Sequence, residues 1–372
     1  MHMLHDEWRR RALVYRGNRQ FRKDPRYRLP SVTEGFASRM DRQGSDWALL
    51  ERICKAYAMS IERQAVASVK YNPTVWWEQQ RRFGLEPVIN ALKSHDCDAL
   101  QRIYENFFRD DCSTGLIPVH RLKKDYFGQR ITEFYARLFL IDALHRLDYW
   151  NEQTNGRYTL RDLEGPGIGN PFGVMLEGRL VTMGSEYQHY CARTVTAHLS
   201  PGRRAVTEIG GGYGGMAYYL TRDQPEITYI DFDMPESIAL TSFYLLKAFP
   251  DLNAVLYGEA ELDSRTISQA DIILMPISEL RNLPDCAVDL TFSSHTMSDL
   301  SAEALVEYCH EITRTTREHF VYVGSRSSAE IISCFESGGS TPLTLVNARE
   351  YAWNNHVAPD AGHVECLYRV QR

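Results

Sequence analysis

The stretch Ala205-Val-Thr-Glu-Ile-Gly-Gly-Gly-Tyr-Gly-Gly-Met-Ala-Tyr-Tyr-Leu220 decides the fold of this chain. Residues 206–209 read as a buried strand, the glycines as a loop and residues 214–221 as a helix. Lacking a Cβ, Gly210, Gly212 and Gly214 can take positive φ and let a ligand approach the backbone closely. Strand, glycine loop and helix N-terminus, in that order, form the place where open α/β sheets hold nucleotide-containing ligands. Two patterns overlap on the loop. Gly210, Gly212 and Gly215 spell G-x-G-x-x-G, the dinucleotide fingerprint. Glu208, Gly210, Gly212 and Gly214 spell E-x-G-x-G-x-G.

Downstream, strands alternate with helices. Ile227–Asp233 reads as the second strand, residues 235–249 as a helix, residues 271–275 as the third strand and residues 288–293 as the fourth. A helix over Ala302–Thr315 precedes a fifth strand at 319–324, and the sequence closes on a long hairpin, 343–346 to 364–370. Continuous apolar strands separated by helices predict a doubly wound, mostly parallel sheet. Ligands of such sheets bind beyond the carboxyl ends of the strands. The glycine loop, Asp233, Met275 and residues 293–299 all sit at such ends and should face one crevice.

Upstream, the periodicity is helical. Trp47, Leu50, Cys54, Tyr57 and Ile61 recur at steps of three and four, as do Leu100, Ile103, Tyr104, Phe107 and Phe108. Ile131, Phe134, Leu138, Ile141 and His145 mark a further long helix running to about Trp150. Asn72-Pro73, Gly115 and Pro118 interrupt the pattern. We therefore expect a helical domain over 1–150, which builds the acceptor pocket, a homodimer interface, or both. Gly165-Pro-Gly-Ile-Gly-Asn-Pro171 places a loop-rich connector over 151–200, read as an active-site wall. The sheet domain then occupies 201–372.

Composition narrows the class. A hydrophobic content of 44% with 24% charged residues is that of an ordinary soluble globular protein. A net charge of −6 argues against a general polyanion binder, so no nucleic acid is expected. No apolar run approaches the ~20 residues of a membrane span, and no membrane is expected. Eight scattered cysteines, none in a C-x-x-C pair, fit a reducing compartment, with cytoplasm the default. No His/Asp/Glu spacing demands a metal.

Glu208 separates the two loop patterns. It stands inside the first strand, where a dinucleotide fold normally has an apolar residue. A carboxylate there suits a ligand bearing an ammonium group, such as the methionine end of S-adenosylmethionine (SAM). Asp233, 25 residues further on, can accept hydrogen bonds from ribose hydroxyls under either pattern.

Glu208-Ile-Gly-Gly-Gly-Tyr-Gly-Gly, Ile230-Asp-Phe-Asp-Met-Pro, Leu274-Met-Pro-Ile and Asp289-Leu-Thr-Phe-Ser-Ser-His-Thr-Met-Ser-Asp299 together resemble the sugar O-methyltransferases, class I SAM enzymes of bacterial polysaccharide and natural-product pathways. The resemblance runs from about Gly165 to the last residue and implies a Rossmann-like methyltransferase sheet with SAM as cofactor. It assigns cofactor binding to Glu208, Gly210, Gly212 and Asp233, to Met275 and Ile277 around the adenine, and to Ser294. A sugar hydroxyl needs a general base, and His295 after the fourth strand is the candidate, with Asp299 orienting it or capping the next helix. His189, Tyr190 and His363 are candidate contacts of a small-molecule or sugar acceptor; Glu186 is a further one. The rival readings are N- or C-methylation of a non-sugar metabolite, a NAD(P)-dependent oxidoreductase resting on the G-x-G-x-x-G pattern alone, and a non-catalytic SAM-binding scaffold.

Overall fold

The computed structural model describes residues 2–40, 46–117, 122–127, 131–202, 204–337, 341–358 and 362–371, with backbone only at 2–6, 124 and 125. Pro118 and residue 203 therefore lie outside the described residues. The chain forms two compact units: Met1–Arg42, Glu105–Cys191 and Ala352–Ala361 make one, and Gln43–Tyr104, Ala192–Tyr351 and Gly362–Arg372 the other.

In the first unit, the helices His2–Gln20 and Glu133–Gln153 pack with Gly17 against Ile141, at a spot where a Cβ would lie 2.5 Å from the isoleucine. A short hairpin follows, β1 (Gly173–Leu176) with β2 (Arg179–Thr182), inside the stretch read from its glycines and prolines as loop. The short helix Pro30–Gly35 presses on β1, a Cβ on Gly35 falling 2.1 Å from the Gly173 carbonyl oxygen. Phe36, Phe139 and Phe172 centre an aromatic core, with rings 4.9–6.2 Å apart. Trp353, 1% exposed, lies among Tyr149, Tyr187 and Tyr190.

The second unit is built on an eight-stranded sheet. Its strands are β3 (Arg204–Ile209), β4 (Ile227–Asp233), β5 (Ala254–Leu256), β6 (Ile272–Pro276), β7 (Val288–Ser294), β8 (Thr316–Ser325), β9 (Leu343–Glu350) and β10 (His363–Val370). The spatial order is β5-β6-β4-β3-β7-β8-β10-β9. All pairings from β5 to β8 are parallel, and β10 runs antiparallel between β8 and β9. This is the mixed α/β architecture that the sequence implies, including the final hairpin. The short edge strand β5 is an addition, too brief to show as a periodicity.

Strand order reverses at β3, whose neighbours are β4 and β7, so the switch point of the sheet lies at the glycine loop. β4 is buried at all seven positions, as a central parallel strand must be. On one face, Ile230, Phe232, Met275, Leu305, Tyr308 and Phe320 belong to a single apolar core. The helix Pro235–Ala248 has twelve consecutive buried residues, Pro235 to Leu246, and packs against the helix Trp47–Ala65. Tyr71, 0% exposed, faces Tyr308 with ring centroids 5.6 Å apart. Among the described residues no helix is long and apolar enough to cross a membrane.

Candidate functional site

The register of β3 against β4 sets Glu208 beside Asp231. Because strand side chains alternate, Tyr229, Asp231 and Asp233 share one face of β4. The Tyr229 hydroxyl donates to Glu208 Oε2 at 2.6 Å. The glycine loop then folds back over these acids: Gly211 N–H donates to Asp231 Oδ1 and Gly212 N–H to Asp233 Oδ2, both at 3.0 Å. Met234 N–H donates to Asp233 Oδ1 at 2.6 Å. Asp231 Oδ2 is buried with no hydrogen-bond partner among the described residues.

Three buried carboxyls in one cluster resist ionisation. Burial raises Glu208 to about 7, against the lowering bond from Tyr229 and with a further push from Asp233. Burial also raises Asp233 to about 7, although Met234 and Gly212 amides favour its charged form. Asp231 stands well above its ordinary value, through burial first and then the charges of Asp233 and Glu208. The apo cluster therefore holds protons near neutrality and would be relieved by a cation.

The loop has no room to spare. At Gly210, with φ +83°, a Cβ would lie 1.9 Å from Thr296 Oγ1. At Gly214, φ +87°, the loop enters the helix Gly215–Asp223, and Gly212 carbonyl accepts from the Thr241 hydroxyl at 2.6 Å.

Opposite the loop, β7 ends in Ser293, Ser294 and His295. Ser293 Oγ donates to the Ile209 carbonyl at 3.0 Å, tying β7 to the tip of β3. Ser294 is half-buried and in register with Val323. His295 takes a left-handed backbone, φ +64°, while its N–H donates to Val323 O at 2.7 Å. Its ring stands edge-on between Tyr351 and His363, with centroids at 5.0 and 5.3 Å. Burial, then the neighbouring His363, lowers His295 to about 4, so its imidazole is neutral at physiological pH. The structure thus brings together His295 and His363, residues 68 apart in the sequence. Tyr351 is the third member, and its N–H donates to His363 O at 3.1 Å. No local pattern announced it, because strand pairing across a long loop put it there.

Other expected residues occupy different surroundings. Asp299 is exposed and makes no hydrogen bond or ion pair among the described residues, so an orienting role towards His295 has no bond to rest on. Nor does it cap the next helix: Ser301 does, accepting from Ala304 N–H at 3.2 Å. Met275 and Ile277, 1% and 3% exposed, are built into the apolar core. Met275 is in register with Phe232, hence on the face of the sheet opposite Asp231. Ser278, next along, carries a buried hydroxyl without a partner among the described residues, a polar group that sequence reading passed over. His189 and Tyr190 lie in the first unit, 0% and 4% exposed. His189 Nδ1 accepts from Trp150 Nε1 at 3.2 Å, and Glu186 pairs with Arg146. As placed, these side chains pack the interior of that unit.

No protein-family model matches the chain, and no curated protein matches it. Among solved structures it is similar to the pyocyanin biosynthetic protein PhzM, at 12% identity and a TM-score of 0.34, over 51% of this chain and 57% of that one. It therefore spans little more than half the length of PhzM. Magnesium protoporphyrin IX methyltransferase (ChlM) from Synechocystis, solved with bound SAM, aligns at 12% identity and a TM-score of 0.35, over 62% of this chain and 97% of that one. A SAM-dependent methyltransferase from Aquifex aeolicus aligns at 13% identity and a TM-score of 0.31, over 48% and 88%. Likenesses this distant carry no chemistry across to this chain.

Proposed function

We propose that the second unit binds SAM and catalyses methyl transfer to an acceptor hydroxyl. The observation that carries this reading is the cluster of three buried carboxyls, Glu208, Asp231 and Asp233, beneath a glycine loop where a Cβ at Gly210 would strike Thr296 and one at Gly211 would strike Asp231. A dinucleotide would bring a pyrophosphate to that loop, where the Gly211 and Gly212 amides it would need already donate to Asp231 and Asp233. SAM has the complementary chemistry, an ammonium and a sulfonium against a single carboxylate. Glu208 holds the ammonium and Asp233 the ribose hydroxyls, while the amides of Gly210 to Gly212, bonded to Phe232 O, Asp231 and Asp233, fix the loop over them. The turn Met275–Ser278 borders the adenine, where Ser278 offers its unpartnered hydroxyl.

Bound there, SAM supplies an activated methyl group together with its own leaving group. The residues of the chain then have two tasks, to align an acceptor and to take its proton. His295 is neutral, so it can accept a proton from an acceptor hydroxyl as that oxygen forms its bond to carbon. His363 and Tyr351 border the place where that hydroxyl must lie. A neutral imidazole suits a hydroxyl acceptor better than an amine, which needs no strong base. The sugar class of the acceptor is supported by the motif order alone. On this reading residues 201–372 supply the cofactor site. A cytoplasmic location accords with the scattered thiols.

Calorimetric titration of the full-length protein with SAM and with its demethylated product tests the cofactor half; binding of neither sinks it. Mass and NMR connectivity of a product carrying one added methyl group would separate oxygen from nitrogen or carbon as the acceptor atom.

A further inference from the structure

The overall charge of −6 conceals a local excess of the opposite sign. Residues 1–28 hold nine Lys or Arg against three Asp or Glu. Among the described residues of this segment, Arg9, Arg16, Arg19, Arg22, Lys23 and Arg28 are exposed and make no ion pair.

The helix His2–Gln20 arranges these charges around a ridge. Successive helical residues turn by about 100°, so Trp8, Ala12, Tyr15 and Arg19 lie along one line. Leu13, Val14 and Gly17 lie on the opposite side and are buried. The ridge consequently points straight out of its unit, and its exposure agrees: Trp8 is 72% and Tyr15 65% exposed. Arg11 flanks the ridge on one side, paired there with Glu7 at 2.6 Å, and the unpaired Arg9 and Arg16 flank it on the other. Large aromatics left this open on a surface, between rows of cations, are what an interaction site presents.

We propose that this helix face docks the protein on an anionic lipid surface. Indole and phenol rings settle at the headgroup level, where one end of each finds apolar matter and the other water. The unpaired Arg9, Arg16 and Arg19, beside and along the ridge, then reach lipid phosphates at the same depth. A convex ridge can lie flat on a plane. Single-stranded nucleic acid needs a groove that tracks its backbone, with rings placed to take successive bases. Here two rings stand two turns apart on an outward ridge, which favours the planar partner. The attachment is peripheral and independent of the cofactor reading.

The test is flotation of the full-length protein with vesicles of phosphatidylcholine alone, or of two parts phosphatidylcholine to one part phosphatidylglycerol. Binding is expected only to the anionic vesicles. It should fade as added salt shortens the screening length from about 10 Å at 0.1 M to about 3 Å at 1 M. Arg16→Gln with Arg19→Gln should weaken it about 25-fold, at roughly fivefold per arginine. Trp8→Ser with Tyr15→Ser should weaken it by about tenfold through lost interfacial burial. Neither pair contributes to a core, so melting temperatures should stay put. Four results would each overturn the proposal: no binding to anionic vesicles at low salt, equal binding to neutral ones, unchanged binding by both variant pairs, or tighter binding of a single-stranded oligonucleotide than of vesicles.

Discussion

Glu208 is a residue that folding alone disfavours. It places a carboxyl at 3% exposure inside a parallel strand, beside two more, and gains one hydrogen bond from Tyr229. Burying a charge costs far more than burying its neutral isostere. Glu208→Gln keeps the acceptor for Tyr229 and removes the acid. We expect the apo protein to melt at the same temperature or higher, while SAM affinity falls about tenfold or more with loss of a charge-assisted bond. Destabilisation with intact affinity would assign Glu208 to structure. At His295, the left-handed backbone dictates the choice of variant. Asparagine tolerates that conformation, so His295→Asn removes the base and spares the turn. Turnover should fall by about 10²–10⁴, with titrated SAM affinity nearly unchanged; undiminished turnover would dismiss His295 as the base. Glu208, the glycines, Asp233 and His295 were legible in the sequence because each sits at a fixed offset from a strand end. Asp231 Oδ2 and Ser278 were not, since an unsatisfied buried atom is a property of packing.

Among the elements, the central strands β4, β6 and β7 read to within a residue, β8 and β9 were read four residues short, β5 was missed, and the helix Pro235–Ala248 read correctly as a helix. Its partner did not. Residues 238–246 are apolar nearly all round, which announces burial without saying against what. The structure supplies the helix Trp47–Ala65, whose apolar stripe was visible and whose destination lay nearly two hundred positions away. Glu236 opens the long helix with its side chain 2% exposed, and the segment after Tyr71 is latched to it. Arg81 donates to it through Nε at 2.6 Å and through a terminal nitrogen at 3.0 Å, and Trp77 Nε1 donates at 2.6 Å. Trp77 is thus an anchor, while Trp76 stays 43% exposed. Removing one member of a buried ion pair leaves the other uncompensated, at about 3–5 kcal/mol. Arg81 would keep Glu78 at 2.9 Å, so Glu236→Leu should lose less than that, about 2–3 kcal/mol, in chemical denaturation. Adding Arg81→Met should return part of it, because an apolar pair of similar volume replaces a cation deprived of its buried partner. If the double variant is no more stable than the single one, the latch is not held by charge.

For the whole molecule, the carboxyl cluster couples stability and binding to pH. Glu208 and Asp233 sit near 7 when folded, against ordinary values of about 4.3 and 3.9 in an unfolded chain. Between those limits the folded protein holds protons that the unfolded chain has released. By linkage, the contribution of these two carboxyls to stability then falls as pH rises from about 4 to about 7. That is the reverse of the usual acid lability of salt-bridged carboxylates. SAM requires Glu208 ionised, so its binding should expel protons and strengthen with pH up to about 7, then level off. His295 works against the carboxyls in this window: neutral when folded from about 4 upward but protonated below about 6.5 when unfolded, it favours folding as pH rises, and His145 and His198, lowered likewise by burial, add to that opposing slope. Two measurements check the linkage. Relative to Glu208→Gln, the melting temperature of the protein without SAM should fall on going from mildly acid to neutral buffer, while the increment given by SAM grows. Calorimetric binding enthalpies near pH 6 should vary with the ionisation enthalpy of the buffer and lose that variation well above 7. A pH dependence of melting no different from that of Glu208→Gln, with a SAM increment indifferent to pH, would mean that the three acids are ionised without a cation, and the case for SAM built on them would fall.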